Sequence, residues 1–399
     1  MHRKTALRII GSNAERTRLH NRKVVLGHLR SHGKLGRAEL ARLTGLSTQA
    51  MSNIIAELES EGLILAGERQ AKGRGLPAVQ YTLNPDGAVG LGIEVRPSAI
   101  LCALVNFLGD TIYSKRIHIE SSEPDVVLPV VKAACDEALA SLGTKAPPVL
   151  GAGVVMPGPF GRVGLTGAGK AELVGWDDKD PQTLFEDLLQ VPVRVENDAT
   201  AAAIAEQTTG SATELHSFCF VYFGTGLGLG IISNGEIIRG AFGNAGELGH
   251  VVVERGGRLC SCGNRGCLET YTSRLAASDF LQKRGKSADS QKDLSDLLAA
   301  GDADLEEWIC EAAGPLAQAI STLENLFDPE AVILGGAMPP ELLERLITKM
   351  DLIDATVSVR DDRKLPRVVR GASGWMTAAL GAAALIIHDT YIPSISKVA

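Results

Sequence analysis

Three of the chain's seven cysteines stand within eight residues, in the run Cys260-Ser261-Cys262-Gly263-Asn264-Arg265-Gly266-Cys267, and His250 lies ten positions upstream of the first. Three thiolates and one imidazole in a tight glycine-rich loop are four soft or borderline donors, the set that suits one tetrahedral zinc ion in a closed structural site. A disulfide between Cys260 and Cys262 would be strained, and a polar loop is a poor place for three inert thiols. His250, Cys260, Cys262 and Cys267 are therefore the expected ligands of one zinc ion per chain. The other cysteines, Cys102, Cys135, Cys219 and Cys310, sit in apolar surroundings and read as core residues. An odd total fits a reducing compartment better than a disulfide framework. The opening Met1-His2-Arg3-Lys4 puts charge where a signal peptide needs an apolar stretch, so the expected location is the cytoplasm. The longest apolar stretch near the C-terminus, Trp375 to Ile387, is 13 residues, short of the roughly 20 a membrane span needs, and no membrane partner is expected.

Charge divides the chain unequally. Residues 1 to 80 hold 14 Lys and Arg against 6 Asp and Glu, a formal +8, which leaves −15 on the other 319 residues of a chain whose total is −7. With 399 residues, 45% hydrophobic and 22% charged, the chain has room for two or three globular domains, and disordered, collagenous and fibrous classes are excluded. In the basic end, Val25 and Leu29 give one apolar stripe before Gly33. Ala38, Leu40, Ala41 and Leu43 give a second short helix ending at Thr44-Gly45. Ser47 is placed to cap a third, in which Met51, Ile54, Ile55 and Leu58 repeat at helical spacing up to Gly62. Helix, glycine turn and helix make a helix-turn-helix. Leu63-Ile64-Leu65, the basic stretch Gly67 to Gly75, and Val79 to Leu83 then read as two strands and the loop of a wing. The exposed start of the last helix, Ser47, Thr48, Gln49, Ser52 and Asn53, offers the short donors and acceptors that read base edges in a major groove. Arg22, Lys23, Lys34, Arg37 and Arg42 are candidates for phosphates, and Arg74 for a minor groove. The bland alternative is a three-helix core with a solvated basic face. No Lys or Arg falls in residues 47 to 61, so phosphate affinity has to come from the flanks and the wing.

After the turn-rich Asn84-Pro85-Asp86-Gly87 the pattern becomes α/β. Apolar runs Val89 to Val95 and Ile100 to Phe107 flank Arg96-Pro97-Ser98, and Phe218 to Phe223 and Leu229 to Ser233 flank Gly224 to Gly228. This strand-turn-strand pattern, met twice, suggests two lobes of similar topology with a ligand cleft between them. Leu150 to Val155 and Val193 to Glu196 read as strands, Ala199 to Glu206 as a helix, and residues 282 to 307 as a solvated helical surface. A Gly-Thr-Gly-x-Gly turn can bring backbone N–H groups to an anion, or simply make a tight hairpin. Glu247 and Glu269 flank the cysteine run, and Glu196-Asn197-Asp198 ends a strand at a helix start. Carboxylates and amides converging near a rigid loop suit a polyhydroxylated ligand, because each hydroxyl both donates and accepts. Any one of them alone reads equally well as a surface residue or a helix cap.

Taken together, Gly246-Glu247-Leu248-Gly249-His250, the Cys-x-Cys-Gly-x-x-Gly-Cys-x-Glu run, Val155-Met156-Pro157-Gly158-Pro159, Glu196-Asn197-Asp198, the Gly224 to Gly230 turn and Asp328-Pro329-Glu330 leading to Leu334-Gly335-Gly336 resemble the ROK family, and specifically its winged-helix regulators. The resemblance implies an N-terminal winged helix-turn-helix over 1–84. It implies a duplicated α/β actin-like, sugar-kinase (ribonuclease H-like) domain over 85–399, with lobes at roughly 85–200 plus the C-terminal helix and at 201–375. It further implies that Asn197, Asp198, Glu247, His250 and Glu269 line a sugar site, Asp198 matching the catalytic base of the family's kinases. Those kinases carry Asp-x-Gly-x-Thr where this chain reads Glu94-Val95-Arg96-Pro97-Ser98. Arg96 replaces the glycine that lets backbone approach phosphate, and Pro97 removes an N–H donor.

The expectation is therefore a sugar-responsive transcriptional regulator, a repressor rather than an enzyme. It would bind double-stranded operator DNA as a homodimer or dimer of dimers, since half-sites about 34 Å apart match a two-fold protein. Its effector would be a monosaccharide or sugar phosphate. The alternatives are an active ATP-dependent sugar kinase with an appended DNA-binding domain, and a regulator controlled by a protein partner.

Overall fold

Helical spacing at the basic end folds as expected in the computed structural model, which describes residues 14–70, 78–156, 173–176, 179–353, 357, 360 and 363–391. The chain divides into two units, Met1–Ala88 with Ile387–Ala399, and Val89–Ile386. The first contains α1 (Ala14–His32), β1 (Leu35–Gly36), α2 (Arg37–Thr44), α3 (Thr48–Ser60), β2 (Ile64–Gln70) and β3 (Ala78–Leu83). Gly45 takes φ 70° to end α2, a conformation a side chain resists. Ser47 Oγ caps α3 by accepting from Ala50 N at 3.2 Å. Val25, Leu29, Leu40, Met51, Ile55 and Leu58 form a core with no exposure. The two-residue β1, which the sequence gave no reason to expect, joins β3 to make a three-stranded sheet in the order β1-β3-β2. Arg74 and the rest of the 71–77 loop lie outside the described residues.

The second unit begins with β4 (Val89–Arg96), β5 (Ala99–Asn106), β6 (Thr111–His118), α4 (Pro124–Ala140), β7 (Val149–Val155), α5 (Pro181–Leu189) and β8 (Val193–Glu196). Next come α6 (Asp198–Thr209), β9 (Phe218–Phe223), β10 (Leu227–Ser233), β11 (Glu236–Ile237), α7 (Glu269–Thr272), α8 (Arg274–Gln282), α9 (Gln291–Ala299), α10 (Ala303–Phe327), β12 (Ala331–Gly336), α11 (Pro340–Lys349), β13 (Val368–Ser373) and α12 (Thr377–Tyr391). The two five-stranded sheets run β6-β5-β4-β7-β8 and β11-β10-β9-β12-β13. In each, two antiparallel pairings are followed by two parallel ones, so the doubled strand-turn-strand pattern is a doubled lobe.

Strand alternation assigns the layers. Cys219, Val221 and Phe223 of β9 face a core shared with α8, α10 and α11, while Phe218, Phe220 and Tyr222 face a central layer with α6 and α12. Glycines let α12 lie close on the first sheet: a Cβ on Gly92 would come 2.7 Å from the backbone N of Ala383. The apolar stretch near the C-terminus is thus a buried helix. Among the described residues no helix is long and apolar enough to cross a membrane. Two expectations fail. Residues 282 to 307 are amphipathic rather than solvated, with Ala288, Leu294 and Leu305 fully buried, because spacing along α9 and α10 sets a stripe that counting charges overlooks. Cys310 is exposed on α10 rather than in the core.

Candidate functional site

The metal cluster forms as its spacing suggests. One ligand atom each from His250, Cys260, Cys262 and Cys267 lies within 4.8 Å of every other. Cys260 Sγ is 3.6 Å from His250 Nδ1, and Cys262 Sγ is 3.7 Å from Cys267 Sγ. The loop closes on itself through Cys260 N to Asn264 O (2.9 Å) and Gly266 N to Arg258 O (2.7 Å), with Gly263 at φ 87° and Gly266 at φ 83°. Against burial, which raises it, the Asn264 N–H and the neighbouring thiols bring the Cys262 thiol down to about 7. Burial pushes the Cys260 and Cys267 thiols up instead, so of the three Cys262 gives up its proton most readily. These four residues could hold one metal ion.

His250 also faces the candidate sugar residues. Its Nδ1 lies 3.6 Å from Glu269 Oε1 and its Nε2 3.9 Å from Glu247 Oε2. Cys260 Sγ donates to Glu269 Oε1 at 3.1 Å, so metal loop and carboxylate share one framework. The Gly224-Thr225-Gly226 turn passes between Glu269 and Asp198. A Cβ on Gly226 would sit 2.7 Å from Glu269 Oε2, and one on Gly224 would sit 3.4 Å from Asp198 Oδ2. Asn197 caps α6, its Oδ1 accepting from Thr200 N at 2.7 Å, and Asp198 Oδ1 accepts from Ala199 N at 2.8 Å. Burial pushes the Asp198 carboxyl up; the Ala199 N–H and the Arg96 charge pull it back, and Glu247 adds to the rise.

At the turn where the family's kinases meet phosphate, Arg96 pairs with Ala99 across the β4–β5 hairpin. Its Nε donates to Glu94 Oε1 at 2.5 Å and its Nη2 to the Trp375 carbonyl at 2.8 Å. Glu94 is 4% exposed and its Oε2 has no hydrogen-bond partner among the described residues. Burial pushes this carboxyl up and Arg96 opposes it.

In the first unit, Thr48, Gln49 and Asn53 are exposed, Gln49 Nε2 donating to Asn53 Oδ1 at 3.1 Å. Ser52 Oγ turns back to the Thr48 carbonyl at 2.9 Å. Arg37 packs against the Tyr81 ring and donates to its hydroxyl at 2.8 Å. Arg22, a candidate phosphate contact, is instead held by Glu61 and Glu57 of α3. Those partners are 35 and 39 positions away, so only folding reveals the pairing.

A winged helix-turn-helix DNA-binding model matches residues 18–64, and the ROK family model matches 90–389. The chain belongs to the ROK family. Its ROK relatives include the xylose repressor of Bacillus spizizenii, 28% identical over 324 residues that cover 80% of this chain and 82% of that protein. A glucokinase of Halalkalibacterium halodurans is 28% identical over 264 residues, covering 62% of this chain and 80% of the kinase. Among solved structures, a ROK transcriptional regulator, homologue of the E. coli MLC protein, superposes with a TM-score of 0.73 at 24% identity over 94% of this chain and 98% of that one. A ROK hexokinase from Thermus thermophilus matches 74% of this chain and 97% of its own length, with a TM-score of 0.58 at 26% identity. The winged helix followed by a two-lobed sugar-kinase-like body is thus the shared fold.

The residues that sequence reading missed are Arg239 and Glu196 as a pair, and Arg96 as a partner of Glu94. Arg239 and Glu196 are brought together by the fold across 43 positions, whereas Glu94 and Arg96 stand two apart on β4, a spacing that puts both side chains on one face of the strand and is itself a signal for the pair.

Proposed function

We propose that this chain is a sugar-responsive DNA-binding transcriptional regulator, a repressor, in which residues 1–84 read the operator and residues 85–399 sense the sugar. One observation carries the reading: a winged helix with an exposed, polar helix start is joined to a ROK body whose phosphate turn is filled by Arg96 on Glu94. A monosaccharide or sugar phosphate binds between the lobes through Asn197, Asp198, Glu247, His250 and Glu269. It changes operator affinity only to the extent that it binds the two arrangements of the protein differently. The regulator works as a homodimer or a dimer of dimers in the cytoplasm, matching paired half-sites.

The metal is zinc. With Zn–S near 2.3 Å and Zn–N near 2.0 Å, a tetrahedral site spaces two sulfurs by about 3.8 Å and sulfur and nitrogen by about 3.6 Å, which the 3.7 and 3.6 Å separations here fit. Bound there, zinc supplies a rigid closed loop that sets His250 and Glu269. Gln49 and Asn53 read bases, and Arg37 and Arg74 meet the backbone or the minor groove.

A thermal-shift panel of sugars and sugar phosphates, with hits retested for release of the protein's own promoter DNA, tests the reading. No shift and no release with any of them would defeat it. The second reading, an active sugar kinase, draws on Asp198 beside the Gly224 turn and on the glucokinase relative. ATP-dependent phosphorylation of a hexose, abolished in Asp198→Asn, would establish it.

A further inference from the structure

The proposed sugar site draws its residues from two lobes. Asn197 and Asp198 stand where β8 of the first sheet passes into α6, which packs on β9 and β10 of the second. Glu247 and His250 follow the exposed segment 240–244, which leaves the second sheet at β11. That strand is an edge of two residues, pairing Ile232 with Ile237 and Ser233 with Glu236, and Ile238 N continues the pairing to Ile231 O at 2.9 Å. The segment carries glycines at φ 73° (Gly240) and φ 80° (Gly243), so its backbone has little stiffness of its own.

One ion pair crosses from this segment to the other half of the site. Arg239, two residues after β11 and immediately before Gly240 of this segment, donates from Nε to Glu196 Oε2 at 2.7 Å. Glu196 is the last residue of β8 and 8% exposed, while half of the Arg239 side chain remains open to solvent. The other carboxylate oxygen, Oε1, accepts from the backbone N of Asn197 at 3.1 Å. The Arg239 carbonyl accepts from Ala245 N at 3.1 Å, so fixing Arg239 also fixes the far end of the loop, two residues before Glu247. A single buried carboxylate therefore joins the backbone that presents Asn197 and Asp198 to the loop that presents Glu247.

We propose that Glu196 and Arg239 are a positioning pair for the sugar site, holding the 240–247 loop in register with Asn197 and Asp198 so that both halves of the hydroxyl-binding set meet one sugar ring. The inference rests on the sugar-site reading above. Neither residue touches the sugar. Their contribution is preorganisation, and losing it weakens binding by about tenfold or more without removing a single ligand contact.

The test uses the full-length protein, its promoter DNA, and D-xylose and D-glucose as probes. Arg239→Ala is expected to keep its metal and its sugar-free DNA affinity and to lose a few degrees of melting temperature because buried Glu196 is left without its cation, while the sugar concentration for half-release rises about tenfold or more; Arg239→Lys recovers most of the loss. Glu196→Gln, which keeps the acceptor for Asn197 N–H but loses the charge, falls between. An unchanged half-release concentration in Arg239→Ala, or a fall in sugar-free DNA affinity together with melting temperature, overturns the proposal. If Arg239→Ala does not fold, Arg239→Lys and Glu196→Gln decide: both must shift half-release with sugar-free binding intact, and a wild-type response in both overturns it. Amide exchange needs no sugar. Arg239→Ala, or Glu196→Gln in its place, should speed exchange in 240–247 and in the first turn of α6 while α2 and α3 keep their protection; equal exchange overturns the pairing. If the wild-type protein answers neither sugar while Arg239→Ala or Glu196→Gln still speeds exchange in 240–247, the sugar reading is lost and the Glu196–Arg239 pair is kept as what holds the loop.

Discussion

The two sides of the candidate site hold their charges differently. On the proposed sugar side, Asn197 and Asp198 are held locally by Thr200 N and Ala199 N, Glu269 lies against Cys260 Sγ and His250 Nδ1, and glycines at 224 and 226 leave room beside them. On the side where ROK kinases meet phosphate, the corresponding turn is closed from within, Arg96 bonding Glu94 and the Trp375 carbonyl. One side leaves room beside its polar groups; the other pairs Arg96 with Glu94 and with the Trp375 carbonyl, although Glu94 Oε2 has no hydrogen-bond partner among the described residues. Glycine turns surviving on both sides therefore say little about ligand, whereas the partner of each charge says much.

Five substitutions would break or sharpen that contrast. The largest effect is expected from Cys267→Ser, which removes a fully buried ligand from the loop that sets the sugar side. Metal content should fall from about one ion per chain towards none, and the melting temperature by roughly 10 °C, corresponding to several kcal/mol. A variant that kept its sugar response without metal would show the loop to be held by hydrogen bonds alone. Arg96→Gly strikes the other side. It leaves Glu94 buried without its cation and should destabilise the protein by about 3 kcal/mol in urea unfolding, with no gain of ATP-dependent phosphorylation. Adding Glu94→Gln should return most of that stability. A gain of kinase activity in Arg96→Gly would mean that a single residue separates the two sides.

Asp198→Asn is expected to weaken the sugar response by about 10- to 100-fold, while the folded protein becomes slightly more stable at neutral pH. The sign follows from the raised carboxyl. The folded chain holds a proton there at a pH where the unfolded chain has released it, so stability is lost as pH rises from the ordinary carboxylate value through the raised one. Asparagine removes that loss, and melting curves across pH should flatten in this window. A steeper dependence would show that burial does not raise this acid. The smallest effect belongs to the reader. Arg22→Ala should cost about 1 kcal/mol by releasing Glu57 and Glu61, and leave the salt slope of DNA binding unchanged. Arg37→Ala should reduce that slope by about one. Equal slopes in the two variants would remove Arg37 from the phosphate contacts.

Much of this was legible from local pattern. Helical spacing from Met51 to Leu58, the doubled strand-turn-strand and the His250 to Cys267 cluster all lie within short stretches, where period and donor spacing carry the information. The two-residue strands β1 and β11 were not legible, because so short a segment has no period. Nor was the pairing of Arg22, whose helix stripe is the same whether its charge faces DNA or α3.

The sequence by itself determined most element types and the donor set of the His250 and cysteine cluster, because these depend on side-chain chemistry at near-neighbour spacing, and the residues expected to bind hydroxyls came from the family resemblance. Only the tertiary structure decided which charges are free and which are already used. Arg96 meets Trp375 across 279 positions and Arg239 meets Glu196 across 43, and contacts that distant in sequence are fixed by how sheets and helices pack rather than by any local preference.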